Sequence, residues 1–431
     1  MLRRGGEHVQ RSGLSADYVN FQFAPDSAGR EATVLKRLLV MGLLAGAAFA
    51  RQPLLVISVD GLDQRYLAHC DEMKLKIPNL RRLMREGQWS RGVIGVMPTI
   101  TWPSHTTILT GVDPKVHGVL SNRKPAAEGG DYPWSAKLLK ARTLLDAAHE
   151  AGLKTAAITW PVTVDAPASF NLPEYFQRRR GGAMDLRSIE SKAVPADLVT
   201  RIAGMFPSFA QEWMDDRTRT QAVVSLLRAE RPDLLVVHLV DLDSEEHDNA
   251  PFSRESNAIL EYTDELIGRM LEALAPGSAV ALVSDHGFEK VEMEVNLAAF
   301  AAEAGVAGVR PMGSIAVAET EPSAEFVRTT SRDPRYGIGR VIPKDEVARF
   351  APQFESAAAV FESAPGFLFA SGNSGEVFSK PRETGNHGHW PMRYRSVYVL
   401  WGAGIAPANL PEFSLKEIAG KLAAVIDVRM P

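Results

Sequence analysis

Six carboxylate and imidazole residues, scattered over more than three hundred positions, each follow closely on a short apolar run or a glycine-rich motif. Asp60 follows Leu54–Val59 in VISVDGLD, and Asp285 and His286 close the run 279–284 in LVSDHGF. The apolar stretch 234–240 leads into Asp243 and His247 in DLDSEEHDNAP, and GNHGH supplies His387. Carboxylates and imidazoles gathered from strand ends hold Zn²⁺ at roughly 2.0–2.2 Å while leaving coordination positions open. The set is large enough for two ions. Taken singly, an Asp behind a strand serves equally well as a turn former or a helix cap.

A hydroxyl in the segment MPTITWPSHTTILTGVDPKVHGVLSN adds chemistry to that set. Thr101 is expected in a proline-punctuated turn, with Ser104 capping a short helix through Leu109. A threonine hydroxyl is a poor nucleophile at neutral pH unless a base or a bound cation lowers its effective pKa. Thr101 brings the metal-capable residues to seven and turns a metal site into an enzyme hypothesis; the plainer reading of this Thr/Ser/Pro cluster is a loop.

These residues need a frame that collects strand ends. Apolar runs of strand length occur at Leu54–Val59, 92–96, 154–159, 234–240, 279–284 and 396–401, with helix patterns at 79–86, 143–151, 217–229, 255–275 and 415–428. The alternation predicts an α/β fold, a mostly parallel sheet sandwiched between helices. Ligand sites in such sheets lie beyond the carboxyl ends of the strands. Residues 165–215 and 296–384 break the rhythm, and no internal repeat or low-complexity linker marks off an extra domain.

The motifs SVDGL, PTITWPSHTTILTGVDPKVHGVLSN, TWP at 159–161, DLDSEEHDNAP, VSDHGF and GNHGH occur in an order that resembles the type I phosphodiesterase/nucleotide pyrophosphatase family of the alkaline phosphatase superfamily. The resemblance covers most of residues 53–405. It implies an alkaline-phosphatase-like catalytic domain over 51–431, with 296–384 as a smaller cap-like insertion. It implies one divalent metal ion, Zn²⁺, on Asp60, Thr101, Asp285 and His286, and a second on Asp243, His247 and His387. Thr101 is implied as the nucleophile and Asn122 as a donor to a phosphoryl oxygen. Asp241 competes with Asp243, but the Asp-to-His spacing of four residues favours Asp243. The family's glycine before the histidine is replaced here by Glu246. His389 is expected to touch substrate, whereas His105 and His117 read as packing residues, Trp160 as a buried aromatic, and 177–180 and Glu245–Glu246 as solvated faces.

The reaction implied is hydrolysis of a phosphodiester or pyrophosphate bond of a small-molecule or nucleotide substrate, through a covalent threonine intermediate. The absence of a basic residue beside 159–161 argues for diesters, unless Arg335 or Arg340 reaches the site. Alternatives are a phosphomonoesterase or phosphonate hydrolase on the same scaffold, and a non-catalytic metal-binding or scaffold protein. At 45% apolar and 23% charged residues the composition is ordinary for a globular protein. A net charge of −4 gives no footprint for nucleic acid. The lone cysteine, Cys70, excludes an intramolecular disulfide and is expected to be buried. Lys36 and Arg37 lead an apolar stretch ending in Ala48-Phe49-Ala50, the parts of a cleaved signal peptide at 34–50 within a leader of 50 residues. That stretch is too short to span a bilayer. Export to the periplasm or the medium is therefore expected, with no stable membrane span after cleavage.

Overall fold

The apolar runs that end in the candidate ligands form the centre of one sheet. A computed structural model describes residues 52–303, 308–370 and 375–430, so the leader and its signal peptide lie outside the described residues. The sheet has eight strands in the spatial order Ala408–Leu410, Gln88–Ser90, Tyr398–Gly402, Ala279–Val283, Leu54–Val59, Leu234–Leu239, Thr155–Ile158, Phe170–Leu172. Tyr398–Gly402 pairs antiparallel with both of its neighbours, and every other pair is parallel. Leu54–Val59 is central, in register with Ala279–Val283 on one side and Leu234–Leu239 on the other.

Alternation along these strands explains why they read as unbroken apolar runs. Leu55, Ile57, Leu235, Val237, Val280 and Leu282 point into one core cluster, whereas Leu54, Val56, Leu234, Val236, Ala279 and Ala281 point into the other. A sheet covered on both faces needs apolar side chains at both parities. Helices Pro78–Glu86, Asp216–Ala229 and Arg254–Glu272 supply leucines and valines to the first cluster, and Leu144–Glu150 and Glu417–Val425 supply the second. Cys70 is buried in the first.

The expected strands at 154–159, 234–240 and 279–284 are present with trimmed ends. The run 92–96 differs: only Val93–Ile94 is extended, and it pairs with Phe413–Ser414 outside the large sheet. Three short outer strands, Gln88–Ser90, Phe170–Leu172 and Ala408–Leu410, carried too few residues to show a periodicity.

Between Ala279–Val283 and Tyr398–Gly402 the chain builds a separate antiparallel sheet, in the order Val309–Met312, Ile315–Ala318, Ala359–Ser363, Ile338–Val341. One side packs Ile315, Val317, Ile342 and Val360 against Met97 and Trp390, residues flanking the threonine segment and the last histidine motif. Glu289–Val295 leaves the Asp285–His286 turn and pairs with Gly385–Asn386, which brings His387 back to it.

A buried arginine fixes the helix that carries Asp243. Arg219 donates from Nη1 to Asp216 Oδ1 at 2.7 Å, from Nε to Thr159 Oγ1 at 3.1 Å and from Nη2 to the Gly182 carbonyl at 2.9 Å. Asp216 in turn accepts from the backbone N–H groups of Val240 and Asp241. Removing one member of a buried ion pair leaves its partner uncompensated, at a cost of roughly 3–5 kcal/mol. Arg219→Met is expected to destabilise the fold by roughly that amount in a denaturant titration; a loss below about 1 kcal/mol would contradict the role given to this contact.

Candidate metal and nucleophile site

Four loops meet at the carboxyl ends of the central strands. Asp60 ends the strand Leu54–Val59 and is 1% exposed. The following Gly61 has φ +74°, and a Cβ there would come within 2.8 Å of Glu246 Oε2 and 3.0 Å of the Phe288 ring, so the tight turn needs glycine. Its N–H donates to Asp285 Oδ1 at 3.2 Å, joining the first two ligand loops. Asp285 and His286 follow Ala279–Val283 and are buried. His286 Nε2 lies 3.2 Å from Asp60 Oδ1 and 3.0 Å from Asp285 Oδ2.

Asp243 occupies the first turn of the helix Asp241–Asn249, with His247 one turn on. Asp243 Oδ1 lies 3.6 Å from Nε2 of both His247 and His387. The rings of His387 and His286 stack at 3.8 Å, so the two groups of residues adjoin. Donor atoms of Asp60, Asp285 and His286 come within 4.8 Å of one another, as do those of Asp243, His286 and His387. His286 thus stands between the two groups, a sharing that the sequence reading, which assigned it to the first alone, did not contain.

The chemistry of these donors fits cations. Asp60 Oδ1, Asp285 Oδ2, His286 Nε2, Asp243 Oδ1 and His387 Nδ1 are buried and have no hydrogen-bond partner. Buried polar atoms are ordinarily satisfied, and leaving one unpaired costs about 1–3 kcal/mol. Five orphans in one place match a site built for ions that accept lone pairs.

Neighbouring groups hold the ligands in position. His238, from the strand Leu234–Leu239, lies with Nε2 2.8 Å from Asp60 Oδ2 and Nδ1 2.9 Å from Glu174 Oε2. Burial alone lowers the pKa of this imidazole, but Glu174 and Asp60 outweigh it and push it up to about 10. The imidazolium so formed directs Asp60 Oδ1 toward His286. His247 Nδ1 lies 2.9 Å from Glu383 Oε2 and 3.1 Å from the Gly385 carbonyl, turning Nε2 toward Asp243. Such outer partners fix the tautomer and orientation of histidine ligands. In the metal-free chain burial opposes the charge on His286, yet Asp285 and Asp60 push its pKa up to about 9. For His387, burial and the neighbouring His286 and His247 hold the pKa well below the ordinary value, which leaves the ring neutral, its ligand form.

Thr101 is the first residue of the helix Thr101–Thr110 and is partly exposed. The helix therefore begins three residues before the expected cap. Ser104 lies inside it, fully buried with an unpartnered Oγ, and Pro103 sits in the first turn, where a missing N–H costs nothing. Asn122 Oδ1 accepts from the Trp102 N–H at 2.9 Å and so caps the helix beside Thr101. This contact occupies the backbone N–H of the residue after Thr101.

Other expectations need correction. Glu246 is not on a solvated face: it is 0% exposed, accepts from the Tyr66 hydroxyl at 2.7 Å, and burial raises its pKa well above the usual carboxylate range. His389, expected at the substrate, is buried with Nε2 2.9 Å from Ser314 Oγ, where it ties the second sheet to the last histidine motif. Arg335 is paired with Asp333, and Arg340 with Glu362 and Glu346. Asp241 accepts from Asp216 N–H and lies 3.8 Å from Arg219, away from the histidines. His105, His117 and Trp160 are buried packing residues, and His105 lies beneath the site, Nε2 2.9 Å from Ser58 Oγ and Nδ1 3.5 Å from Asp285 Oδ2. The sequence reading missed His238, Glu174 and Glu383. A histidine within the otherwise apolar LLVVHLV was the available sign for the first.

Comparison with known proteins gives the family and the fold. The family model described as type I phosphodiesterase/nucleotide pyrophosphatase matches residues 54–389. Venom phosphodiesterase 2 of Crotalus adamanteus is 25% identical over 272 residues, covering 58% of this chain and 28% of that protein. Ectonucleotide pyrophosphatase/phosphodiesterase family member 1 of Homo sapiens is 24% identical over 256 residues, covering 57% and 24%. The chain thus matches about a quarter of those relatives' lengths. Among solved structures, murine ectonucleotide pyrophosphatase/phosphodiesterase 5 superposes with a TM-score of 0.61 at 17% identity, covering 88% of this chain and 96% of that one. An inactive form of the same murine protein in complex with AMP gives the same values. The likeness to these structures establishes the fold.

The His238 contact carries a pH dependence. Its folded pKa lies above the ordinary 6.5, so its contribution to the stability of the metal-free protein is complete below about pH 6.5 and is lost as pH rises through about 10. An NMR titration of the metal-free protein is expected to show the ring protonated at pH 7; titration of His238 near neutrality would contradict the charge assigned to it.

Proposed function

The chain belongs to the type I phosphodiesterase/nucleotide pyrophosphatase family, and from that membership and the site's geometry we propose that it is a two-metal hydrolase of phosphodiester or pyrophosphate bonds in small-molecule or nucleotide substrates. One observation carries the reading: buried, unpartnered ligand-type atoms converge beyond the ends of the central strands, and Thr101 opens a helix whose His105 Nδ1 lies 2.8 Å from the Thr101 carbonyl and 3.5 Å from Asp285 Oδ2. A non-catalytic scaffold has no use for orphaned carboxylates at this cost.

Asp60, Asp285, His286 and Thr101 would hold one divalent cation, and Asp243, His247 and His387 the other, with Zn²⁺ suited to this mixture of imidazole and carboxylate. When bound, such ions supply Lewis acidity, favouring ionisation of a hydroxyl and offsetting charge on the oxygens around phosphorus. Thr101 Oγ, its proton given up to solvent, attacks phosphorus, forming the Thr–O–P bond as the bond to the leaving oxygen breaks and that oxygen departs with the electron pair, to be protonated by solvent. Water then displaces Thr101 Oγ from the opposite side and restores the hydroxyl. Asn122, with Oδ1 held by the Trp102 N–H, has its amide nitrogen available to donate to a non-bridging phosphoryl oxygen. His238 and Glu383 keep Asp60 and His247 oriented throughout. The leader at 1–50 fits export to the periplasm or medium, which belongs to the same proposal.

The test is hydrolysis of bis-p-nitrophenyl phosphate, p-nitrophenyl thymidine 5′-monophosphate and p-nitrophenyl phosphate by the metal-loaded protein. Diester rates well above the monoester rate are expected; a faster monoester would overturn the substrate class. Thr101→Ala is expected to lose at least about 10³-fold in kcat while keeping two metals per chain by elemental analysis. Asp243→Ala is expected to lower metal occupancy far more than Asp241→Ala, and the reverse order would move the ligand.

A further inference from the structure

One imidazole joins the three segments that supply the first ligand group. His105 is fully buried on the helix Thr101–Thr110, one turn after the threonine. Its Nδ1 lies 2.8 Å from the Thr101 carbonyl, and because a carbonyl oxygen only accepts, the ring hydrogen sits on Nδ1. The same nitrogen stands 3.5 Å from Asp285 Oδ2, an oxygen that has no hydrogen-bond partner. Nε2 lies 2.9 Å from the hydroxyl of Ser58, which the strand Leu54–Val59 carries two residues before Asp60. The ring meets Trp160 edge-on at 5.1 Å and lies tilted against His238, the partner of Asp60, at 4.2 Å. The threonine helix, the Asp60 strand and the Asp285 loop thus converge on a single side chain.

Filling this space does not by itself call for an imidazole. An apolar side chain would fill it with no polar group to desolvate, whereas a buried imidazole needs partners for its ring nitrogens. Both nitrogens are partnered here, and the partners belong to the segments that bear Asp60, Thr101 and Asp285. Thr101 opens its helix, so no earlier turn restrains it. Asn122 holds the N–H of Trp102 on one side, and His105 holds the Thr101 carbonyl on the other. A reacting group displaced by about 1 Å loses on the order of 10²-fold in rate.

We infer that His105 is a positioning residue that fixes the Thr101 backbone and Asp285 relative to one another, and so sets the threonine hydroxyl against the first cation. The inference rests on the proposed hydrolase reading and adds to it a residue that acts through Thr101 and Asp285. Its bond to the Thr101 carbonyl is the contact that matters, and the Ser58 bond orients the ring for it.

His105→Asn and His105→Gln separate this role from packing, since both remove the ring. The asparagine amide nitrogen is attached to Cγ, as Nδ1 is, and keeps a donor for the Thr101 carbonyl. The glutamine amide nitrogen extends one atom further, to the place of Nε2, and keeps only the Ser58 side. The first readout is calorimetric binding of zinc to the metal-free proteins, which needs no turnover. His105→Gln is expected to weaken one of the two zinc ions about tenfold and leave the other within about twofold, whereas His105→Asn keeps both within about threefold. The second is hydrolysis of bis-p-nitrophenyl phosphate by the zinc-loaded proteins. There His105→Gln is expected to lose about 30-fold in kcat with KM within about twofold, and His105→Asn less than about threefold. Equal losses in the two variants, or no loss in His105→Gln, would reduce His105 to packing and overturn the inference. His105→Asn tests it alone where His105→Gln does not fold: a loss there beyond about tenfold in zinc affinity or kcat would also overturn it. Absence of hydrolysis by the wild type, with the expected zinc pattern across the variants, would overturn the hydrolase reading and leave the positioning of the first cation's ligands standing.

Discussion

Asp60, Asp243 and Asp285 lie out of water at the ends of strands that are buried on both faces. A carboxylate in such a place persists only where opposite charge or donated hydrogen bonds compensate its desolvation. The fold answers this constraint in stages. His238 between Glu174 and Asp60 and the Gly61 N–H on Asp285 each supply part of the compensation, and Arg219 supplies it for the neighbouring buried Asp216. The remaining oxygens and ring nitrogens, unpartnered and turned toward one another, are what divalent cations would satisfy. The same constraint accounts for the protonated state expected of Glu246, whose burial among Asp243, Asp63 and Asp60 excludes another negative charge.

Sheet topology turns residues far apart in sequence into one site. Parallel pairing in register brings the ends of Leu54–Val59, Leu234–Leu239 and Ala279–Val283 to the same edge, so the loops bearing Asp60, Asp243 and Asp285 are neighbours of necessity. His387 arrives differently. It is returned by the pairing of Glu289–Val295 with Gly385–Asn386, and the second sheet packs Trp390 behind it. Loss of that pairing would displace His387 without touching the large sheet.

The strands and most helices were legible because burial on both faces leaves long apolar runs that end at Asp60, Asp243 and Asp285. The candidate ligands Asp60, Asp243 and Asp285 were legible because each follows such an end. What escaped reading was set by three-dimensional neighbours. Ser104 carries the ordinary signature of a helix cap, but Asn122 reaches from twenty residues away to cap the helix earlier. Glu246 sits in a charged stretch that reads as solvent-facing, and only the packing of Tyr66 and Phe288 against the helix shows it to be interior. The paired state of Arg340 depends on contacts that no local pattern encodes.

The central claim is that the buried ligands form two cation sites side by side, with Thr101 at the first. Anomalous diffraction at the zinc edge from crystals of the metal-loaded protein tests it directly. Two peaks about 4 Å apart are predicted, one against Asp60, Asp285, His286 and Thr101 and the other against Asp243, His247 and His387. A single peak centred on His286, or peaks remote from Thr101, would contradict the account.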